Sequence, residues 1–153
     1  MIFTFFFWLV NHLPSLTIGK DGLDYLTRYY LFLKDHFFGN IFIHHFHRSD
    51  LDMGKNGLGL LHSHPFYGLS FVISGGYVEE RRLADDSVIR RVIKPLSFNF
   101  IGADDFHRVE LLDEVNGAWS IFFTGKRSKK SWQFWDRITK EYIDWKNVVG
   151  AIE

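Results

Sequence analysis

From residue 57 to residue 124 the chain alternates short apolar runs with polar turn-formers, and no stretch of that region sustains a helical period. The runs predict strands near 58–64, 67–74, 77–83, 88–93, 97–101, 107–112 and 118–124. Gly75-Gly76, Asp85-Asp86, Lys94-Pro95, Asp104-Asp105 and Asn116-Gly117 separate them, and the Asn-Gly pair fits a tight hairpin. Upstream, 27–33 and 41–47 are aromatic and β-branched enough to be strands, while 48–56 is polar and reads as a loop. Turns are expected at 13–15 and 19–22, and a hydrophobic helix or strand over 2–10. Downstream, only 132–145 could hold helix. The expectation is one all-β domain over 1–153, a sandwich or barrel with its core at about 25–125, helical or irregular ends, and an aromatic C-terminal tail over 126–153.

Composition narrows the class. The chain is 46% hydrophobic and 18% aromatic, which excludes disorder. Eighteen basic residues balance eighteen acidic ones, so no overall field attracts nucleic acid. There is no cysteine, so a metal here must be held by histidine and carboxylates. The apolar start, Ile2 to Val10, falls far short of the roughly 20 residues that span a bilayer. No Lys or Arg precedes Lys20, a poor fit to a signal peptide. Docking of this segment on the domain or at a subunit contact is expected, with membrane-surface docking as the alternative. A cytoplasmic location without a membrane partner follows, and the aromatic ends leave a homodimer contact open.

The chemistry gathers around His62-x-His64. On a strand, residues i and i+2 share a face, so two imidazoles can be presented to one point. If the strand carrying His107 lies alongside, three neutral imidazoles converge as ligands for a transition metal. The competing reading is imidazoles that merely hydrogen-bond inside the barrel. His44, His45 and His47 form a second cluster, with His45 and His47 on one face, and read as a half-buried surface. His12 and His36 have no partner pattern. Asp104, Asp105, Arg108 and Glu110 flank His107 as solvated charges or as a carboxylate orienting an imidazole through its other nitrogen. In the run from Glu79 to Arg82, one acid and one base face each way. Tyr77, Glu79 and Arg81 are the substrate contacts if their side of the strand points inward; an outward salt-bridged ladder is the alternative. Lys126-Arg127 with Lys129-Lys130 reads as a solvated loop or an anion patch.

Gly57, His62-x-His64 and Gly75 at their spacings, with Pro95, Gly102 and His107 after them, resemble the two motifs of the cupin superfamily. Phrases such as Tyr25-Leu26-Thr27-Arg28-Tyr29-Tyr30 and Ser74-Gly75-Gly76-Tyr77-Val78-Glu79-Glu80 are similar to small, largely uncharacterised phage and bacterial cupins. The resemblance implies a jelly-roll β-barrel and a divalent metal on His62, His64 and His107. The family's ligand Glu should fall at 68 or 69, where this chain has Gly68 and Leu69. The implied site is therefore three histidines, as in the thiol dioxygenases of the superfamily, with Fe(II) expected and Zn, Ni or Mn as alternatives. Those enzymes carry a tyrosine on a later strand that 118–123 lacks, so their substrate is not carried over. Two functions remain open: an iron-dependent, dioxygenase-like enzyme acting on a small molecule, or a non-catalytic module binding a small anion.

Overall fold

The computed structural model describes residues 2–32, 39–54, 57–128 and 131–149. Leu33 at the end of one expected strand, His36, Phe38 and Lys129-Lys130 lie outside the described residues. The chain begins with helix α1 (Ile2–His12), followed by β1 (Ser15–Lys20), β2 (Leu23–Tyr30) and β3 (Ile41–Phe46). Then come β4 (Leu61–His62), β5 (Gly68–Ser74), β6 (Tyr77–Arg82), β7 (Val88–Ile93), β8 (Phe98–Ile101), β9 (His107–Leu111) and β10 (Ala118–Thr124). β11 (Gln133–Trp135), β12 (Tyr142–Asp144) and the single-turn helix α2 (Trp145–Val149) close it.

The strands form two antiparallel six-stranded sheets, ordered β1-β2-β3-β10-β5-β8 and β12-β11-β4-β9-β6-β7. From β4 to β10 the chain crosses repeatedly between sheets, and the consecutive strands that pair antiparallel are β1–β2, β2–β3, β6–β7 and β11–β12. The β1–β2 hairpin turns on Asp21 and Gly22, both at positive φ (53° and 77°), the twist that joins neighbouring antiparallel strands. Asn116-Gly117, expected to make a hairpin, instead carries the chain from β9 in one sheet to β10 in the other. Its geometry is set by Asp113, whose carboxylate accepts the Val115 and Asn116 N–H groups. Gly75 makes another crossing at φ 78°, where a Cβ would lie 2.2 Å from the Gly117 carbonyl oxygen.

Inward positions alternate as a half-buried strand requires: Gly68, Ser70 and Val72 on β5, His107, Val109 and Leu111 on β9, Ala118, Ser120 and Phe122 on β10. Val72, Tyr77, Ile93, Val109, Leu111 and Ala118 fill one part of the interior, and Phe42, Ile101 and Phe122 another. α1 buries Val10 and sets Phe6 edge-on to Trp119, 5.5 Å between ring centres. Among the described residues no helix is long and apolar enough to cross a membrane.

Two departures shape the site. The strand expected over 58–64 shrinks to β4, and the tail expected to hold helix supplies β11 and β12 instead. The causes are linked: β4 would be an open edge, and β11 pairs with it through Phe134↔His62 and Trp135↔Leu61. Leu61, Phe106 and Trp135 then form a third packed cluster, and burying Phe134 alone contributes about 1.5–3 kcal/mol. Tertiary pairing thus outweighs the local helical tendency of the tail.

Candidate metal centre

β4 lies between β11 and β9, and its pairing with β9 sets His62 directly opposite His107. His64 reaches the same point from beyond the end of β4, where the Ser63 N–H still bonds to the Gln133 carbonyl at 2.9 Å. One ring nitrogen from each of His62, His64 and His107 lies within 4.8 Å of those of the other two. The His64 and His107 Nε2 atoms are 2.8 Å apart. Two nitrogens each about 2.1 Å from one divalent ion, at right angles, would be about 3 Å apart.

The far side of each ring bears on which nitrogen is free. His107 Nδ1 lies 3.0 Å from Glu79 Oε1, so it donates to the carboxylate and leaves the Nε2 lone pair pointing at the other imidazoles. His62 Nδ1 faces Asp50 Oδ2 at 3.4 Å, which points its Nε2 the same way. Asp50 is fixed in turn by the Val109 N–H (2.7 Å), while Arg108 holds the Asp50 and Asp52 carbonyls at 2.6 and 2.9 Å. Burial, reinforced by the neighbouring His107 and opposed by Asp50, pushes the His62 pKa down to about 4. Burial, with His62 and His107 beside it, holds His64 well below the ordinary imidazole range. Both rings are therefore neutral at pH 7, the state a ligand needs.

Glu79 is completely buried. Its Oε1 accepts from His107, Arg81 Nη2 (2.8 Å) and Asn99 Nδ2 (2.9 Å), and its Oε2 from Arg91 Nη2 (2.5 Å). Burial alone would raise the pKa of this carboxyl. Its bonds to His107, Arg81 and Arg91 outweigh that and keep it well below the usual carboxylate range. An ionised, immobilised carboxylate behind an imidazole fixes both tautomer and ring orientation.

The triad opens into a cavity of about 100 Å³ between the sheets. Of the three expected substrate contacts, Tyr77 lines this cavity, and Asn99 Nδ2 lies 3.4 Å from its hydroxyl. Glu79 and Arg81 are not on the cavity wall. Arg81 binds Glu79, Asn99, Asp105 and the Phe100 carbonyl. Asp105 caps the Gly102 N–H, and Glu110 pairs with Arg90, so neither of these His107 neighbours orients the imidazole. Trp132 approaches His62 and His64, with ring centres 6.2 and 6.4 Å away, and lines the cavity with Phe134. Residue patterns missed Asp50, Arg28 and the β1 residues Ile18 and Lys20, all of which line the cavity. For Glu79 a signal existed: alternation puts it on the face of β6 that meets β9, one diagonal step from His107.

The chain matches no protein-family model and no curated protein. Solved structures resemble it in fold. HppE in its Fe(II) form aligns over 74% of this chain at 14% identity with a TM-score of 0.57. CapF, a capsular polysaccharide assembling protein of Staphylococcus aureus, aligns over 86% at 18% identity with a TM-score of 0.52. KdgF of Halomonas sp. aligns over 76% at 14% identity with a TM-score of 0.53. The chain spans 57% of the HppE chain and 31% of CapF, against 92% of KdgF. All three are cupin-fold proteins, and the all-β architecture described above is that jelly roll.

Proposed function

We propose that this cupin-fold chain is a mononuclear metal-dependent protein, in which His62, His64 and His107 hold a divalent ion and the adjoining cavity receives a small molecule. The observation that carries this reading is the convergence of three imidazole nitrogens within 4.8 Å, with Glu79 behind one ring and Asp50 behind another. Neutral nitrogen donors without a thiolate suit Fe(II), Zn, Ni or Mn. The crystallised Fe(II) form of HppE supports iron as the first metal to test.

Three protein ligands leave coordination positions free, as catalytic sites do. A bound ion would supply Lewis acidity or redox chemistry there. The protein's own part is to keep His62 and His64 neutral, fix the direction of His107 and His62 through Glu79 and Asp50, and seat the substrate against Tyr77, Phe122 and Trp132. With Fe(II) bound, the chain would act as a dioxygenase-like enzyme on that substrate.

The test is elemental analysis of untagged protein as purified and after anaerobic loading with Fe(II), beside His62→Ala. About one equivalent of iron in the wild type and none in the variant is expected, followed by substrate-dependent O₂ uptake. No metal under either condition would overturn the reading. Metal without turnover of any tested substrate would leave a binding module.

A further inference from the structure

The cavity wall holds one cation that no carboxylate pairs among the described residues. Lys20 pairs with Asp52 at 3.0 Å, and Asp50 receives the Val109 N–H while facing His62. Arg28 has no carboxylate within ion-pair distance among the described residues. On β2, directly opposite His44 of β3, its Nε donates to His44 Nε2 at 3.2 Å. Its guanidinium carbon sits 4.8 Å from the centre of the Phe42 ring, and the Tyr30 hydroxyl is its other polar neighbour. His44 is buried and stacked on Phe122, 5.0 Å between ring centres. Burial and the adjacent Arg28 hold its pKa well below the ordinary value, so it is a neutral acceptor and not a second cation.

An arginine stays ionised even where burial lowers its pKa, as it does here. A partly buried charge without a counter-ion is costly, and one on a cavity wall is open to a counter-ion from outside. The rest of the wall is largely apolar: Leu26, Phe46, Ile101, Val109, Phe122 and Phe134. The ligand therefore needs a negative head and an apolar body small enough for about 100 Å³. One guanidinium whose Nε is already engaged by His44 matches a singly charged head better than a doubly charged phosphate.

We propose that Arg28, braced by His44, is the anion-recognising end of the cavity, and that its ligand is a small monocarboxylate with an apolar body. This rests on the reading that the cavity binds a small molecule, and it names the class of that molecule.

The test uses the full chain, metal-free and zinc-loaded, titrated with isobutyrate, isobutyramide and inorganic phosphate. The readout is the Arg28 Nε–H resonance in ¹⁵N spectra together with the fitted Kd. Isobutyrate should shift that resonance and bind at least about tenfold more tightly than the neutral amide, as expected for a charge-assisted contact. Arg28→Met should weaken isobutyrate about tenfold to a hundredfold and Arg28→Lys less, with zinc content equal to wild type in both. Equal affinity for acid and amide, tighter binding of phosphate, an unmoved Arg28 resonance, or undiminished binding to Arg28→Met would overturn the proposal. If either variant fails to fold, the wild-type comparison of acid with amide decides. Wild type that takes up neither zinc nor Fe(II) yet shows the isobutyrate shift would defeat the metal reading and leave the anion site standing. Zinc uptake without the shift would do the reverse.

Discussion

Two groups of histidines lie on opposite sides of the first sheet's wall. His62, His64 and His107 face the cavity. His45 and His47, with ring centres 4.2 Å apart, lie on the side of β3 turned away from it, since His44 and Phe46 take the inward positions. Burial lowers both the His62 and the His45 pKa to about 4, so a depressed imidazole does not by itself mark a ligand. What separates the groups is where the nitrogens point. The inner rings aim theirs at each other and carry carboxylates on the far side of His62 and His107. The outer rings use theirs locally: His47 Nε2 bonds to Thr27 Oγ1 at 2.8 Å, and His45 lies flat on Trp119 at 4.0 Å. Histidine clustering is a matter of strand sequence; convergence is a matter of strand pairing.

The largest expected effect is His107→Ala. It should reduce bound metal from about one equivalent to none by elemental analysis while circular dichroism stays that of a β protein; retained stoichiometric metal would erase the distinction between the two groups. Glu79→Gln keeps the shape but weakens the brace behind His107. Metal affinity should fall about tenfold to a hundredfold in a competition titration with a chelator, with some loss of stability because Arg81 and Arg91 lose their shared counter-charge.

Acid should act on the inner group next. The folded His62 value of about 4 lies below the 6.5 of an ordinary imidazole, so between those values the unfolded chain binds the proton and the folded chain does not. Stability of the metal-free protein should therefore be full above about pH 6.5 and decline toward pH 4, by on the order of 3 kcal/mol from this group. Urea midpoints at pH 7.5, 5.5 and 4.5 would reveal it, and a flat profile would contradict it. The smallest effect belongs to the outer pair. His45→Ala should leave metal content unchanged and cost about 1 kcal/mol through the lost stacking on Trp119, read from the thermal midpoint.

Much of the fold is written locally. The alternation of β5, β9 and β10, the glycine turn at 75–76 and the i, i+2 spacing of His62 and His64 each express a short-range rule. What local pattern does not carry is partnership. Phe134 and Trp135 look like a helical tail until β4 offers them an open edge. Asp50 sits in a polar stretch that reads as solvated loop, yet the Val109 N–H and the guanidinium of Arg108 draw it beneath His62. Arg28 belongs to an aromatic strand, and only the Arg28↔His44 register and the lack of an ion-paired carboxylate among the described residues make it conspicuous. Glu79 alternates with arginines as a surface ladder would, but its side of β6 is the inner one.

The most direct test of the account is an anomalous difference map from crystals of the Fe(II)- or Co(II)-loaded protein. The account predicts one strong peak bonded to the Nε2 atoms of His62, His64 and His107. A peak at His45 and His47, or none near the inner triad, would contradict it.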